Sequence, residues 1–219
     1  MFTGIVQTVA PIFSVAKMGE CLRVCIKKPL GWKLVPGQSI AVDGVCSTVT
    51  RISPSTRSLS SPSETHPSES KTGRKSQSFF EVEYMQETLA KTTVKTFEKN
   101  QVVNLERSLT LKDFVDGGLV QGHVDACGEV KKIERKGKTA LLEIAISRTL
   151  KKYVATKGSV TINGVNLTVV QAKSNTFSVA LIPYTLLHTN LGFLKKGDVV
   201  NVEVDMLARY VEKMMQDKR

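Results

Sequence analysis

Gly37-Gln38-Ser39-Ile40-Ala41-Val42-Asp43-Gly44-Val45-Cys46-Ser47-Thr48-Val49 reads as one complete β-hairpin, and the chain returns to it at Gly158-Ser159-Val160-Thr161-Ile162-Asn163-Gly164-Val165-Asn166-Leu167-Thr168-Val169. In each copy a β-rich run is broken by Asp-Gly or Asn-Gly, the pairs that accept positive φ at both centres of a type I′ turn. With Asp43-Gly44 as the loop, Val42 stands opposite Val45, Ala41 opposite Cys46, Ile40 opposite Ser47 and Ser39 opposite Thr48. The pleat then sorts Ser39, Ala41, Cys46 and Thr48 onto one face and Ile40, Val42, Val45 and Ser47 onto the other. The echo sorts the same way, with Ser159, Thr161, Asn166 and Thr168 against Val160, Ile162, Val165 and Leu167. The apolar face is assigned to a core, which leaves the small polar face to solvent or to a ligand.

Outward from the hairpins the two halves keep matching. Thr88 corresponds to Thr185, Thr92 to Thr189, Asn104 to Asn201 and Glu106 to Glu203, with the same internal spacing, and Leu119-Val120-Gln121-Gly122-His123-Val124 echoes the Gly4-Ile5-Val6 start. An internal repeat in 219 residues argues for two small domains. Repeated short strands with turn signals make both of them all-β, barrels or sandwiches. Phe2 to Val15 reads as a first strand, Cys21 to Lys27 as a second and Phe79 to Glu83 as a later one. A boundary is expected at Asp116-Gly117-Gly118. From about 53 to 78 the chain is rich in Ser, Pro and charge, a composition that reads as an inserted loop in which His66 is solvated. At the other end Asp205 caps a helix whose Leu207, Tyr210, Val211 and Met214 share one face. So short a helix needs a surface, either its own barrel or the same helix of another subunit.

The formal charge of +11 is compatible with nucleic acid, anionic membrane or phosphorylated ligands. Lysines are scattered rather than gathered with aromatics, which at 6% are sparse, so a base-stacking platform is not expected. No apolar run approaches bilayer length and no secretory leader is evident, so a soluble, unprocessed protein without membrane contact is expected. Cys21, Cys25, Cys46 and Cys127 form no CxxC and lack clustered histidines, which argues against a metal and for a reducing, cytoplasmic setting.

Several ordered stretches resemble the riboflavin synthase family with a duplicated lumazine-binding domain. They are Met1-Phe2-Thr3-Gly4-Ile5-Val6, Ser39 through Val49, Glu87-Thr88-Leu89, Val103-Asn104-Leu105-Glu106-Arg107, Val120-Gln121-Gly122-His123-Val124-Asp125, and Leu181-Ile182-Pro183 with Thr185. The resemblance implies an all-β fold of two tandem Greek-key β-barrels plus a C-terminal α-helix: a first barrel over 1–118, a second over 119–204 and an oligomerisation helix over 205–219. Glu87-Thr88-Leu89 is read as part of a strand. The implied activity needs no cofactor: two molecules of 6,7-dimethyl-8-ribityllumazine exchange a four-carbon unit. It also implies a homotrimer with each site shared between unlike barrels of neighbours, and lumazine synthase as a candidate partner.

Carried over by position, Ser39, Cys46 and Thr48 form the polar floor of the first pocket, with Cys46 as nucleophile or hydrogen-bond partner unless it is an inert core thiol. His123 is the candidate for proton transfer. Phe2 either stacks on the heterocycle or fills the barrel mouth. Gly4, Ile5, Val6, Gly122 and Val124 offer backbone, while Ser47, Glu83, Glu87 and Thr88 line the first pocket. Lys157, Asn166, Leu167, Thr168, Ile182, Pro183, Tyr184 and Thr185 line the second. Three positions depart from the family pattern: Gly118 stands where a further histidine is usual, Asn166 replaces a serine, and Ser47 replaces a leucine on the apolar face. A non-catalytic lumazine or flavin carrier and a basic nucleic-acid-binding barrel are the competing readings.

Overall fold

The computed structural model describes residues 1–53 and 78–216. Both hairpins form in the register read from their turns. β3 (Ser39–Val42) and β4 (Val45–Ser53) pair Ser39 with Thr48 and Val42 with Val45, and β9 (Ser159–Ile162) and β10 (Val165–Ala172) pair Ser159 with Thr168 and Ile162 with Val165. Asp43 and Gly44 have φ of 45° and 77°, Asn163 and Gly164 45° and 82°, as a type I′ turn requires.

Around these hairpins the other strands close two barrels of the same order. In the first, β1 (Thr8–Met18), β2 (Cys21–Lys27), β5 (Phe79–Tyr84), β4, β3 and β6 (Val102–Arg107) succeed one another and β6 returns to β1. In the second, the order is β7 (Ala126–Lys136), β8 (Thr139–Ala145), β11 (Thr176–Leu181), β10, β9 and β12 (Val199–Val204). Closure leaves no free edge. Each barrel holds its own aliphatic core, one around Ile12, Ile26, Phe80 and Leu105, the other around Leu142, Ile144, Phe177 and Val202. Ile40, Val42 and Val45 point into the first core and Val160, Ile162 and Val165 into the second.

Two local expectations change. The first strand starts at Thr8, and Phe2 instead makes an isolated antiparallel bridge to Val120. Glu87-Thr88-Leu89 is not strand: it lies in α1 (Gln86–Lys91), matched in the second half by α2 (Pro183–His188), where Pro183 occupies the first turn. Thr92 ends α1 by bonding back to the Thr88 carbonyl at 2.6 Å and accepting from Val94 N at 3.3 Å, and Thr189 repeats this on Thr185 and Leu191 at 2.7 and 3.3 Å. The repeated spacing Thr-x-x-x-Thr thus marks a helix terminator. The Ser/Pro-rich insertion with His66 falls outside the described residues except at its ends, where Ser53 pairs with Phe79 across β4 and β5.

α3 (Met206–Gln216) starts where expected, with Leu207 N donating to Asp205 Oδ1 at 2.9 Å. Its apolar residues do not pack on the barrel: Leu207, Tyr210, Val211 and Met214 are 62, 58, 56 and 66% exposed. The helix is held instead by polar contacts, Lys152 to Glu212 at 2.8 Å and Arg209 to Asp125 at 2.8 Å. Among the described residues no helix is long and apolar enough to cross a membrane.

Candidate ligand-binding site

The polar faces of the two hairpins are not simply solvated. Each is covered in its inner part by a short extended segment that leads into the opposite barrel, and two buried glutamates hold these segments. Glu106 of β6 accepts from Thr3 N, Thr3 Oγ1 and Gly4 N at 2.6, 2.8 and 3.0 Å. Its counterpart Glu203 of β12 accepts from Gln121 N and Gly122 N at 2.8 and 2.9 Å. Burial pushes both carboxyl groups above the usual glutamate range, and the backbone donors pull them partly back. The two segments also pair with each other, Phe2 N to Val120 O at 2.8 Å and Val120 N to Phe2 O at 3.0 Å.

So anchored, each segment reaches one hairpin. Cys46 N donates to Gly122 O and Asn166 N donates to Gly4 O, both at 2.9 Å. Gly4 and Gly122 have φ of 73° and 78°. A Cβ on Gly122 would stand 2.7 Å from Cys46 Cβ, and one on Gly4 would overlap Asn166, so the left-handed backbone and the close approach both demand glycine.

These contacts sort the candidate residues into two related half-sites. Cys46 and Thr48 on β4, Gly122, His123 and Val124 on the second segment and Thr88 on α1 belong to the first barrel, whose core Val124 also touches. Asn166 and Thr168 on β10, Gly4, Ile5 and Val6 on the first segment and Ile182 to Thr185 at α2 belong to the second, whose core Val6 touches. Thr48, Thr168, His123, Ile182 and Tyr184 face outward, so both half-sites are open. A cavity of about 420 Å³ between residues 3–7 and 106–116 is lined by Ile5 but not by Cys46, Asn166 or His123.

The lumazine binding domain model matches the chain twice, at residues 3–108 and 121–205. The riboflavin synthase of Actinobacillus pleuropneumoniae is 35% identical over all of this chain and 91% of its own length, and that of Bacillus subtilis 32% identical over 98% and 90%. The chain belongs to the riboflavin synthase family. Crystal structures of LumP complexed with riboflavin and with 6,7-dimethyl-8-(1'-D-ribityl) lumazine share its fold, with TM-scores of 0.76 and 0.73 at 23 and 22% identity over 93% of this chain and 99% of theirs.

Within this riboflavin synthase family member several residues read from sequence occupy other surroundings. Phe2 is fully buried in a cluster with Ala41, Val120 and Cys46. Ser47 points into the first core, where its hydroxyl is hydrogen-bonded to Val45 O and the Tyr84 hydroxyl, both at 2.9 Å. Buried Tyr84 supplies the polar partner that a leucine at position 47 would not need, and Ser47 stands away from the open half-site. Glu83 is tied to Arg23 at 2.9 Å on the outside of β5, and Glu87 to Lys91 at 2.9 Å along α1. Leu167 is half-buried against the second core. Ser39 and Ser159 remain half-exposed on the polar faces.

The half-sites are related but not alike. Where the first presents the Cys46 thiol, the second presents the Asn166 amide. Lys157 is exposed and holds φ of 70° at the position where the first copy has Gly37 at 87°, so the second barrel carries a cation on a turn that costs a non-glycine residue some strain. Arg209 of α3 was not legible from sequence: its Nη2 donates to His123 O at 3.0 Å and Asp125 Oδ2 at 2.8 Å, and its Nη1 to Gln121 Oε1 at 3.3 Å. The helix thus braces the segment that carries His123. Glu106 and Glu203 were visible only as matched letters, although a repeated Asn-x-Glu on alternating strand positions was a sign of a buried polar face.

Proposed function

We propose that this chain is a transferase that carries out the riboflavin synthase reaction: two molecules of 6,7-dimethyl-8-ribityllumazine exchange a four-carbon unit, yielding riboflavin and 5-amino-6-ribitylamino-pyrimidinedione. The observation that carries the reading is the pair of half-sites, one per barrel, each built from a hairpin and a crossing segment. A reaction between two identical molecules needs two related pockets, and a duplicated domain supplies them. Similarity to riboflavin synthases over the full chain supports the same conclusion.

Both half-sites are open, and α3 turns its apolar face to solvent. A homotrimer in which α3 packs on a neighbour and unlike half-sites meet across the interface accounts for both features. Holding two heterocycles in contact makes the encounter effectively intramolecular, which in good geometry lowers a barrier by roughly 7–11 kcal/mol. One lumazine must lose a proton from its acidic C7 methyl to a base and the other must become electrophilic at C7; two carbon–carbon bonds then form between them as the second molecule's two ring C–N bonds break, which releases the pyrimidinedione. His123, exposed beside Gly122, is assigned the proton transfer, and Cys46, half-buried with its backbone fixed by Gly122, activates or stabilises the electrophilic ring. Lys157 and Thr168 are assigned to ligand contact in the second half-site. A lumazine synthase would supply the substrate and is the partner to examine by co-sedimentation.

Mixing the purified protein with 6,7-dimethyl-8-ribityllumazine should produce flavin fluorescence. Cys46→Ser and His123→Gln should lower turnover at least tenfold while leaving thermal unfolding unchanged. Tight binding without turnover would make the protein a carrier; wild-type rates in both variants would remove these residues from the chemistry.

A further inference from the structure

Asn166 lies between two glycines whose missing side chains matter for different reasons. Gly4 must be glycine for its backbone, with φ of 73°, and because its Cβ would overlap Asn166 Cβ. Gly118 has no positive φ, so its backbone is open to any residue. A side chain there would meet only the Asn166 amide, since a Cβ on Gly118 would overlap Asn166 Nδ2 and crowd Asn166 Cγ at 3.1 Å. Neither backbone can retreat. Gly118 N is bonded to Thr3 O at 2.8 Å, Asn166 N to Gly4 O at 2.9 Å, and Thr3 and Gly4 are themselves held by Glu106. What can move is the amide, because it ends a short side chain with two torsions.

That amide is the second half-site's counterpart of the Cys46 thiol, and a small cavity of about 40 Å³ beside it is lined by Gly118, Ser159, Thr161 and Asn166. Among the described residues no protein hydrogen bond holds its side chain, which leaves a donor and an acceptor for a ligand. From this we infer that Gly118 is a positioning residue: its missing side chain leaves open the space in which the Asn166 amide stands, and so permits the polar contact that distinguishes the second half-site from the first. The inference rests on the half-sites being lumazine pockets. It assigns Gly118 a role that follows from Asn166 rather than from the linker itself.

The test is a double-mutant cycle in the full-length protein with Gly118→Ala, Asn166→Ser and both together. Read-outs are KM and kcat for 6,7-dimethyl-8-ribityllumazine, the riboflavin dissociation constant by flavin fluorescence, and the denaturant midpoint. Gly118→Ala should raise KM and weaken riboflavin binding about tenfold, the size of one displaced hydrogen bond, with kcat changed less than KM. In the Asn166→Ser background, which removes the amide, the same glycine substitution should change both by less than twofold. An equal penalty in both backgrounds, or a Gly118→Ala variant that loses stability but keeps its KM and affinity, would overturn the coupling. Should Gly118→Ala fail to fold, the double variant must fold for the inference to stand. If the wild type neither binds riboflavin nor turns over lumazine, it is the proposed function that falls, and non-additive denaturant midpoints then decide whether Gly118 and Asn166 are coupled.

Discussion

Replacing Asp43 with asparagine should remove a pH-dependent weakness at the centre of the molecule. Asp43 sits at the first hairpin tip, 2% exposed, where the tips of both hairpins meet: Asn201 Nδ2 donates to Asp43 O and Asn104 Nδ2 to Asn163 O, each at 2.8 Å. Its carboxylate accepts from Asn104 N at 2.7 Å and Asn190 Nδ2 at 2.8 Å, and among the described residues it forms no ion pair. Burial outweighs these two donors and pushes the group from 3.8 to about 7. The folded protein therefore binds this proton more tightly than the unfolded chain does. Stability from this group is fully present below pH 3.8 and is lost as pH rises towards 7, at up to 1.36 kcal/mol per pH unit, for a total of about 4 kcal/mol.

Asparagine, which the second copy uses as Asn163 in the same turn, keeps the shape without the charge. Its extra amide hydrogens need an acceptor, and an unmet one costs about 1–3 kcal/mol. Subtracting that cost, Asp43→Asn should be more stable than wild type by about 1–3 kcal/mol at pH 7.5 and equal or less stable at pH 4.5. Urea unfolding followed by Trp32 fluorescence across pH 4.5–8 gives the difference curve. Glu106 and Glu203, also raised by burial, contribute a slope of the same sign to both proteins and cancel in that difference. A difference constant within about 0.5 kcal/mol across the range would refute the assignment of a buried, ionising Asp43.

Glu203→Gln should free one of the amides at Gln121 or Gly122, cost about 1–3 kcal/mol in urea unfolding, and loosen the backbone contact to Cys46 enough to lower turnover as well. Arg209→Ala should reduce kcat several-fold with the oligomer intact by sedimentation, since it releases His123 and Asp125 without touching the apolar face of α3. Ser47→Ala should lower stability by about 1–3 kcal/mol because the buried Tyr84 hydroxyl loses its partner, and Ser47→Ala with Tyr84→Phe should recover most of it. In that pair, turnover of folded protein should stay near wild type.

The first hairpin shows how much was local. Two-residue turns set register, strand alternation sets faces, and the burial of Ile40, Val42, Val45 and Ser47 followed from those rules. The same rules left the other face ambiguous. They placed Ala41 and Thr161 with the polar residues, whereas both are buried, at 3 and 5%, under the crossing segments. The six-residue helices α1 and α2 were too short to give a periodic signal, and only the threonine spacing marked them.

The amino-acid sequence by itself determined the duplication, the two hairpins, the helix start at Asp205 and the membership of a lumazine-binding family, because each rests on neighbours along the chain or on whole motifs in order. Which segment serves which barrel was decided only by the tertiary structure. Gly4 meets Asn166, Gly122 meets Cys46, and Glu106 and Glu203 anchor both crossings through contacts about 80 to 160 residues apart. Such pairings carry no local pattern: buried amides and carboxylates must find partners somewhere in a closed pair of barrels, and only the packed molecule says where.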